Sequence, residues 1–379
     1  VKFTIDREAF VEALFAASVV TKSSATLPVL ACCQIDATKD GRIVVQATDL
    51  VVWVRREVAA DVQKPGRVVV DLKRVFSTVK SSPAGPVECH SLKRALVIDQ
   101  SRVHAQVNEL EQGDFPEEPT YPDAPHRIAV ATLLDMFEKT APFIGRDESQ
   151  AVFCAAWLHK LLDGSLRMIA SDRVRFAQVT LRPQPEESWG NIDALIPREG
   201  VAALQRLLCG DGVVGVGVEG DRMLFISGET RIVVQLIHGR YPDCDHIFRH
   251  EPIASALVNR DCLTASLKRA AIFAGKSNRI RLTLSDGTLE VFSTDQVSGE
   301  LVDPVPCVAE QSPPLALYYN YKFVRQVLAV IEGDDVKLDV AGLASPTYVT
   351  DSARPEVAYV IMPMDEGKEE ADGPDTESD

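Results

Sequence analysis

Residues 34–49 read QIDATKDGRIVVQATD, residues 157–172 read WLHKLLDGSLRMIASD, and residues 280–295 read IRLTLSDGTLEVFSTD. Each is an alternating apolar run, a turn, a second alternating run, and a small hydroxyl residue before Asp. The turns Asp40-Gly41, Asp163-Gly164 and Asp286-Gly287 carry a dipeptide that closes hairpins well, because glycine takes the positive φ such turns demand. The closing residues Asp49, Asp172 and Asp295 are spaced by 123 residues both times. A whole hairpin recurring at one interval makes the chain a threefold repeat.

Helix-period segments flank each hairpin. Leu72, Val75, Phe76 and Val79 keep the i, i+3, i+4, i+7 spacing of one buried face, as do Val324, Val327, Leu328 and Ile331; Val201, Leu204 and Leu208 keep most of it. Earlier helices are expected to start near Asp6, Thr132 and Asn259, each a good N-cap residue, and to bury Phe10 with Leu14, Leu133 with Phe137, and Leu263 with Leu267. Every repeat then reads β-α-βββ-β-α-βββ, an α+β fold. The Pro-rich stretches GDFPEEPTYPDAP (113–125) and GRYPDCDHIFRHEP (239–252) share Gly-x-aromatic-Pro-acid and separate the repeats. The expected domains are 1–122, 123–252 and 253–364. From Asp365 to Asp379 eight acidic residues, one lysine and no large apolar side chain predict a disordered tail, residues 365–379.

The chain has 379 residues, 46% of them apolar, with 40 basic against 55 acidic side chains and a net charge of −15. That composition belongs to a folded protein of several cores and excludes a disulfide mini-scaffold or wholesale disorder. No apolar run approaches the 18 residues or so of a membrane span, and the charged N-terminus VKFTIDREAF lacks the apolar centre of a secretory signal. A cytoplasmic protein without membrane contact is expected. The eight cysteines contain no Cys-x-x-Cys pair and read as reduced thiols. The negative total hides a polarity, since the six segments expected to be helical (6–22, 71–80, 131–146, 197–208, 259–279 and 319–331) sum to +8 and the remainder to −23. Lys73, Arg74, Lys80, Arg198, Arg206, Lys268, Arg269, Lys276, Lys322 and Arg325 occupy helix faces not needed for the core. Helices lining one surface would make that surface positive, as phosphate binding requires.

At this point the chain resembles the β subunit of bacterial DNA polymerase III, the sliding-clamp family, from Val1 to about Met364. The likeness rests on KFTIDRE at the start, TLPVL at 26–30, ATDL at 47–50, ASD-x-x-R-F at 170–176, IPREGV at 196–201, GRYPD at 239–243 and AYVIMPM at 358–364. The resemblance implies three clamp-type domains per chain in a ring-shaped homodimer, helices inside and antiparallel sheets outside, around double-stranded DNA. Sequence-independent phosphate attraction suits a tether that slides, and a negative exterior repels DNA from the outside. Neither catalysis nor a cofactor or metal is implied. The implied partners are the polymerase catalytic subunit, the clamp loader and other clamp-motif proteins.

Carried over by motif, a pocket for short Gln-Leu-x-Leu-Phe-like peptides falls on Ser171, Arg173, Val174, Arg175 and Phe176, on Pro242, His246 and Ile247, and on Val360, Met362, Pro363 and Met364, with Leu158 and Pro346 as neighbours. Thioethers beside proline suit a groove that repacks around different partners. DNA-facing cations are expected at Lys22, Lys73, Arg74, Lys80, Arg146, Arg198, Arg206, Arg240, Lys268, Arg269, Lys276 and Arg279. For the ring interface the resemblance implies Arg102 and Val103 against Ile272, Phe273, Glu300 and Asp303, with Arg102 complementary to either acid. The chain departs from the family's pattern at Arg173-Val174, where Gly-His is common, at Asp365 in place of Arg, at Glu199 in place of a second base, and at Ser24-Ala25 before TLP. The pocket rim is therefore expected to be bulkier and more cationic, and the channel contacts weaker.

Three strings are set aside. Gly215-Val-Gly217-Val-Glu-Gly220 spells a dinucleotide fingerprint but runs into a strand instead of opening a helix. Gly275-Lys276-Ser277 closes a helix and lacks the earlier glycine of a phosphate loop, and His246 with His250, near Asp243, Cys244 and Asp245, sits in a Pro-containing linker without a further histidine-carboxylate helix. Two other functions stay distinguishable: a diverged clamp paralogue serving as an interaction hub, which would bind peptide without DNA retention, and a nucleotide-dependent enzyme, which would bind ATP.

Overall fold

In a computed structural model the chain is described over residues 1–21, 27–121, 123–185, 187–249, 251–285, 287–295, 297, 299–309 and 314–365. Expectations placed on Lys22, Ser24, Ala25, Pro122, His250, Asp286 and the tail beyond Asp365 lie outside the described residues.

All three hairpins form. Cys32–Ala37 pairs with Arg42–Thr48, Ala155–Lys160 with Leu166–Ser171, and Arg279–Ser285 with Thr288–Asp295, every pair antiparallel. Gly41 and Gly164 sit at φ of 78° and 88°, where a side chain would be strained. The recurring hydroxyl-Asp pair has a structural job. Thr48 Oγ1 accepts from Leu50 N at 2.9 Å, and Asp49 Oδ1 accepts from Val51 N at 3.1 Å and Val52 N at 2.8 Å. Those bonds hold Leu50 in the left-handed region, φ 75°, and turn the chain into its next strand.

Each repeat runs in the expected order, the first with one additional short strand, Asp61–Lys64. The helices are α1 (Arg7–Ser18), α2 (Leu72–Ser81), α3 (Val130–Thr140), α4 (Arg198–Leu207), α5 (Arg260–Ala270) and α6 (Tyr321–Leu328). They pack pairwise within their repeats, α1 on α2, α3 on α4 and α5 on α6. Phe10, Leu14, Leu133, Phe137, Leu263 and Leu267 are fully buried, each worth roughly 1.5–3 kcal/mol against exposure. Asp6 caps α1 through Glu8 N and Ala9 N, and Asn259 caps α5 through Cys262 N. The expected cap at Thr132 is wrong. Helix α3 starts at Val130, whose N–H donates to Gly212 O at 2.9 Å, so a distant carbonyl replaces the side-chain cap. Arg146, Lys276 and Arg279 are not helical, contrary to expectation: α3 stops at Thr140 ahead of Pro142, and α5 stops at Ala270 ahead of the left-handed Gly275. Arg7 Nε of α1 donates to Val79 O near the end of α2 at 3.2 Å, and Arg260 Nη1 of α5 to Ile331 O beyond α6 at 2.8 Å. Cations at helix C-termini answer the dipole and the unpaired carbonyls together.

The chain divides into two compact units. One holds Val1–Ala170 and Thr180–Tyr241, the first two repeats, because a single eight-stranded sheet runs through both: Thr230–Gln235 of the second repeat pairs with Val52–Ala59 of the first. The other holds Ser171–Val179 and Pro242 onward, the third repeat with a strand borrowed from the second: Arg175–Leu181 pairs with Arg354–Ile361, Phe176 opposite Val360.

Candidate functional site

The second unit contains most of the residues expected to form the peptide pocket, and its geometry starts at a turn. Ser171 Oγ accepts from Arg173 N at 2.8 Å, while Asp172 Oδ1 accepts from Val174 N at 3.1 Å and Arg175 N at 2.8 Å. Arg173 is thereby held at φ 77°, and both it and Val174 are exposed. Arg175 does the opposite. Only 6% exposed, it donates from Nε to Asp172 Oδ2 at 2.9 Å and from Nη1 to Gln326 Oε1 of α6, with its guanidinium 4.3 Å from the centre of the Phe323 ring. Charge-assisted bonds and a cation–π contact lock the turn to α6.

Beside the turn, Arg354–Ile361 ends in the Met-Pro-Met segment. Met362 N donates to Val174 O at 2.9 Å and Met364 N to Tyr318 O at 2.7 Å, so the backbone is pinned at both ends while the side chains stay accessible. Met362 and Pro363 are half-buried, and Met364 is 37% exposed. Pro346 is half-buried, just before the strand Thr347–Asp351, and the neighbouring loop exposes Leu343. In the linker, Pro242 and His246 are exposed and Ile247 is half-buried, its N–H donating to Cys244 O at 2.9 Å. Ser171, Phe176 and Val360 are buried, so they lie beneath the exposed residues of the expected pocket instead of lining it. Leu158, expected as a neighbour of the pocket, belongs to the first unit and is fully buried. Sequence reasoning missed Tyr318, Phe323 and Gln326. None belongs to the motif, and Phe323 and Gln326 lie outside the apolar stripe of α6.

Lys73, Arg74 and Lys80 of α2, Arg206 of α4 and Lys268 of α5 are exposed; Arg198 is half-buried. Arg146, Arg240 and Lys276 are exposed in loops, and Arg279 covers the Tyr318 ring at 4.0 Å. Arg269 is committed inside the chain. Its Nη2 lies 2.6 Å from Asp303 Oδ2, so Asp303 is not the free acid expected to face Arg102. Glu300 is exposed, as are Arg102 and Ile272, the last at 68%; Val103 and Phe273 are half-buried.

Two of the open strand edges carry residues expected at the ring interface. Val103–Asn108 is the outer strand of its five-stranded sheet and pairs only with Ala95–Gln100. Gly299–Ala309 pairs from Gly299 to Pro306 with Thr288–Asp295 on one side, but with Ala254–Asn259 only from Cys307 onward on the other. Each edge offers unpaired backbone groups to another strand.

Three profiles of one family match the chain in order: DNA polymerase III beta subunit, N-terminal domain, over residues 1–120, central domain over 127–243, and C-terminal domain over 246–365. The beta sliding clamp of Caulobacter vibrioides is 27% identical over 373 residues, which covers 96% of this chain and 99% of the relative. The beta sliding clamp of Pseudomonas aeruginosa is 27% identical over 368 residues with the same coverage. A crystal structure of the C. crescentus beta sliding clamp matches with a TM-score of 0.89 at 26% identity, and one of the P. aeruginosa sliding clamp bound to griselimycin matches with the same values; each covers 96% of this chain and 99% of the relative.

Proposed function

We infer the function from a premise of kinship: the chain belongs to the DNA polymerase III beta-subunit family. It is a sliding clamp of DNA replication, and the observation that carries this is the tiling of three profiles of one family, in order, along residues 1–365. The finer reading follows from the chemistry. Three domains, 1–122, 123–252 and 253–364, make up each chain, and two chains join head to tail into a ring, each open edge Val103–Asn108 taking the partner's Gly299–Asp303 edge. Ile272 and Phe273 supply apolar contact there, and Arg102 meets Glu300.

The exposed cations of α2, α4 and α5 attract phosphates without reading bases, so the ring slides; retention is topological and the polymerase stays with its template. The protein catalyses nothing itself and acts in the cytoplasm. Partners dock by a short segment over Met362, Pro363 and Met364 beside the Arg173-Val174 turn. The Met side chains can repack around different apolar residues, while the exposed Arg173 favours acidic or neutral segments over basic ones.

The test is to load the protein onto nicked circular DNA with an ATP-driven loader and to measure retention before and after the circle is cut. Retention on the circle with rapid loss from the linear form establishes the sliding ring, since only topology differs. Equal loss from both, with peptide binding kept, would sink it in favour of an interaction hub.

A further inference from the structure

The turn and strand that form the proposed groove are built twice. In the first unit Gln235 N donates to Val51 O at 2.8 Å, just as Met362 N donates to Val174 O at 2.9 Å in the second. Val233 lies opposite Trp53 in the paired strands, as Val360 lies opposite Phe176. Leu50 and Arg173 occupy the same left-handed apex, φ 75° and 77°, each held by a hydroxyl-Asp pair. Beside the first turn runs the linker segment Pro116–Thr120, and between them opens a groove of about 370 Å³.

We propose that this first-unit groove is a second docking site, and that it takes a short extended partner segment carrying a bulky apolar side chain next to a lysine or arginine. The inference rests on the reading of the second-unit groove only for the likeness between the two. Three further features point the same way. Leu50 is 57% exposed at a left-handed apex; a β-carbon is strained there and an exposed leucine gains nothing from solvent, so glycine or asparagine would serve a mere turn better. Beneath it, Trp53 is 6% exposed, packs edge-on to Phe115 with ring centres 5.8 Å apart, and has an indole N–H with no acceptor among the described residues. Such an orphaned donor is costly and a small opening of the groove lets a peptide carbonyl satisfy it.

The third feature is charge. Of the two carboxylates lining the groove, Glu118 is engaged by Arg55, Gln46 and Tyr121. Glu117 is exposed and makes no ion pair among the described residues. Among the described residues that line the groove the one cation, Arg222, already donates to Thr120 Oγ1 at 3.1 Å and lies 4.0 Å from Asp221. The uncompensated charge is therefore negative here and positive at Arg173, so the two grooves select segments of opposite charge.

Two pentapeptides, Gln-Leu-Lys-Leu-Phe and Gln-Leu-Asp-Leu-Phe, are titrated calorimetrically into the full chain, with fluorotryptophan NMR to follow Trp53. The lysine peptide is expected to fill a site that moves the Trp53 resonance, survives Met362→Ala with Met364→Ala, and weakens about tenfold in both Leu50→Asp and Glu117→Lys. In Glu117→Lys the aspartate peptide gains that site. An unmoved Trp53 resonance, or lysine-peptide affinity unchanged to within about twofold in Glu117→Lys, overturns the inference; Glu117 is exposed, so that variant folds even where Leu50→Asp does not. Aspartate-peptide binding that persists in the double Met variant instead overturns the second-unit groove, and leaves this one standing.

Discussion

The guanidinium of Arg175 lies 4.3 Å from the centre of the Phe323 ring while its Nε holds Asp172 at 2.9 Å, so one buried cation ties the turn beneath the proposed groove to α6. Arg175→Ala removes the clamp but leaves Asp172 Oδ1 bonded to two backbone N–H groups. The expected cost is about 2 kcal/mol, the usual worth of bonds to a charged group. Arg175→Lys recovers only part, because an ammonium cannot fork across the carboxylate and amide. Urea unfolding of the two variants checks the order. Equal stability of alanine and wild type would show that the contacts do not hold the turn.

The exposed cations of α2 predict a salt signature. Each lysine or arginine that neutralises a phosphate adds about 0.9 to the slope of log affinity against log salt on B-form DNA. Lys73→Ala with Arg74→Ala and Lys80→Ala should therefore flatten that slope by up to about 3. Thermal stability should stay near wild type, since all three are exposed. An unchanged slope would remove α2 from the DNA-facing surface.

What was legible in the sequence is what is local. Hairpin partners are close in the chain, so alternation and the Asp-Gly turns located all three, and the helix stripes found Val75, Val79, Leu204 and Val327 in the core. What was not legible depends on distant partners. Val130 finds the carbonyl of Gly212, so α3 needs no side-chain cap and starts earlier than Thr132 implied. Arg175 meets Gln326 from another repeat, and Arg269 meets Asp303 across a strand, so neither is free in the way its motif or helix position implied. The hydroxyl-Asp pair was visible as a repeat marker, but its work as a turn lock appears only with the bonds to the N–H groups that follow it.

The open edges bear on assembly. An open strand edge and an exposed Ile272 are both aggregation hazards unless they are covered. Ile272→Ala with Phe273→Ala should shift the sedimenting species from dimer to monomer and leave each chain folded. Asp303→Ala tests a different point. Because Asp303 is paired with Arg269 in the same chain, its loss should weaken dimerisation far less than Glu300→Lys, which in the proposed interface sets like charge against Arg102. The reverse order would return Asp303 to the interface.

Glu118 predicts a pH dependence for the stability of the first unit's linker. Burial opposes its charge, but hydrogen bonds from Tyr121 and Gln46 and the nearby Arg55 hold its carboxyl below the ordinary value of 4.5. A depressed carboxyl pKa stabilises the fold above the unfolded value and loses that contribution as pH falls through the folded one. Tyr121 is shifted the other way. Burial and the Glu118 carboxylate raise it above its ordinary 10.0, so its contribution is present below about pH 10 and fades above. The melting-temperature advantage of wild type over Glu118→Gln should be flat from about pH 6 to 9 and shrink toward zero below about pH 4. The advantage over Tyr121→Phe should shrink at both ends, on the acid side because its bond to the Glu118 carboxylate weakens when that carboxyl takes a proton, and on the alkaline side because the phenol itself ionises. Calorimetry across that range decides, and an advantage over Glu118→Gln that grows on acidification would mean that the carboxylate is a burden to the fold.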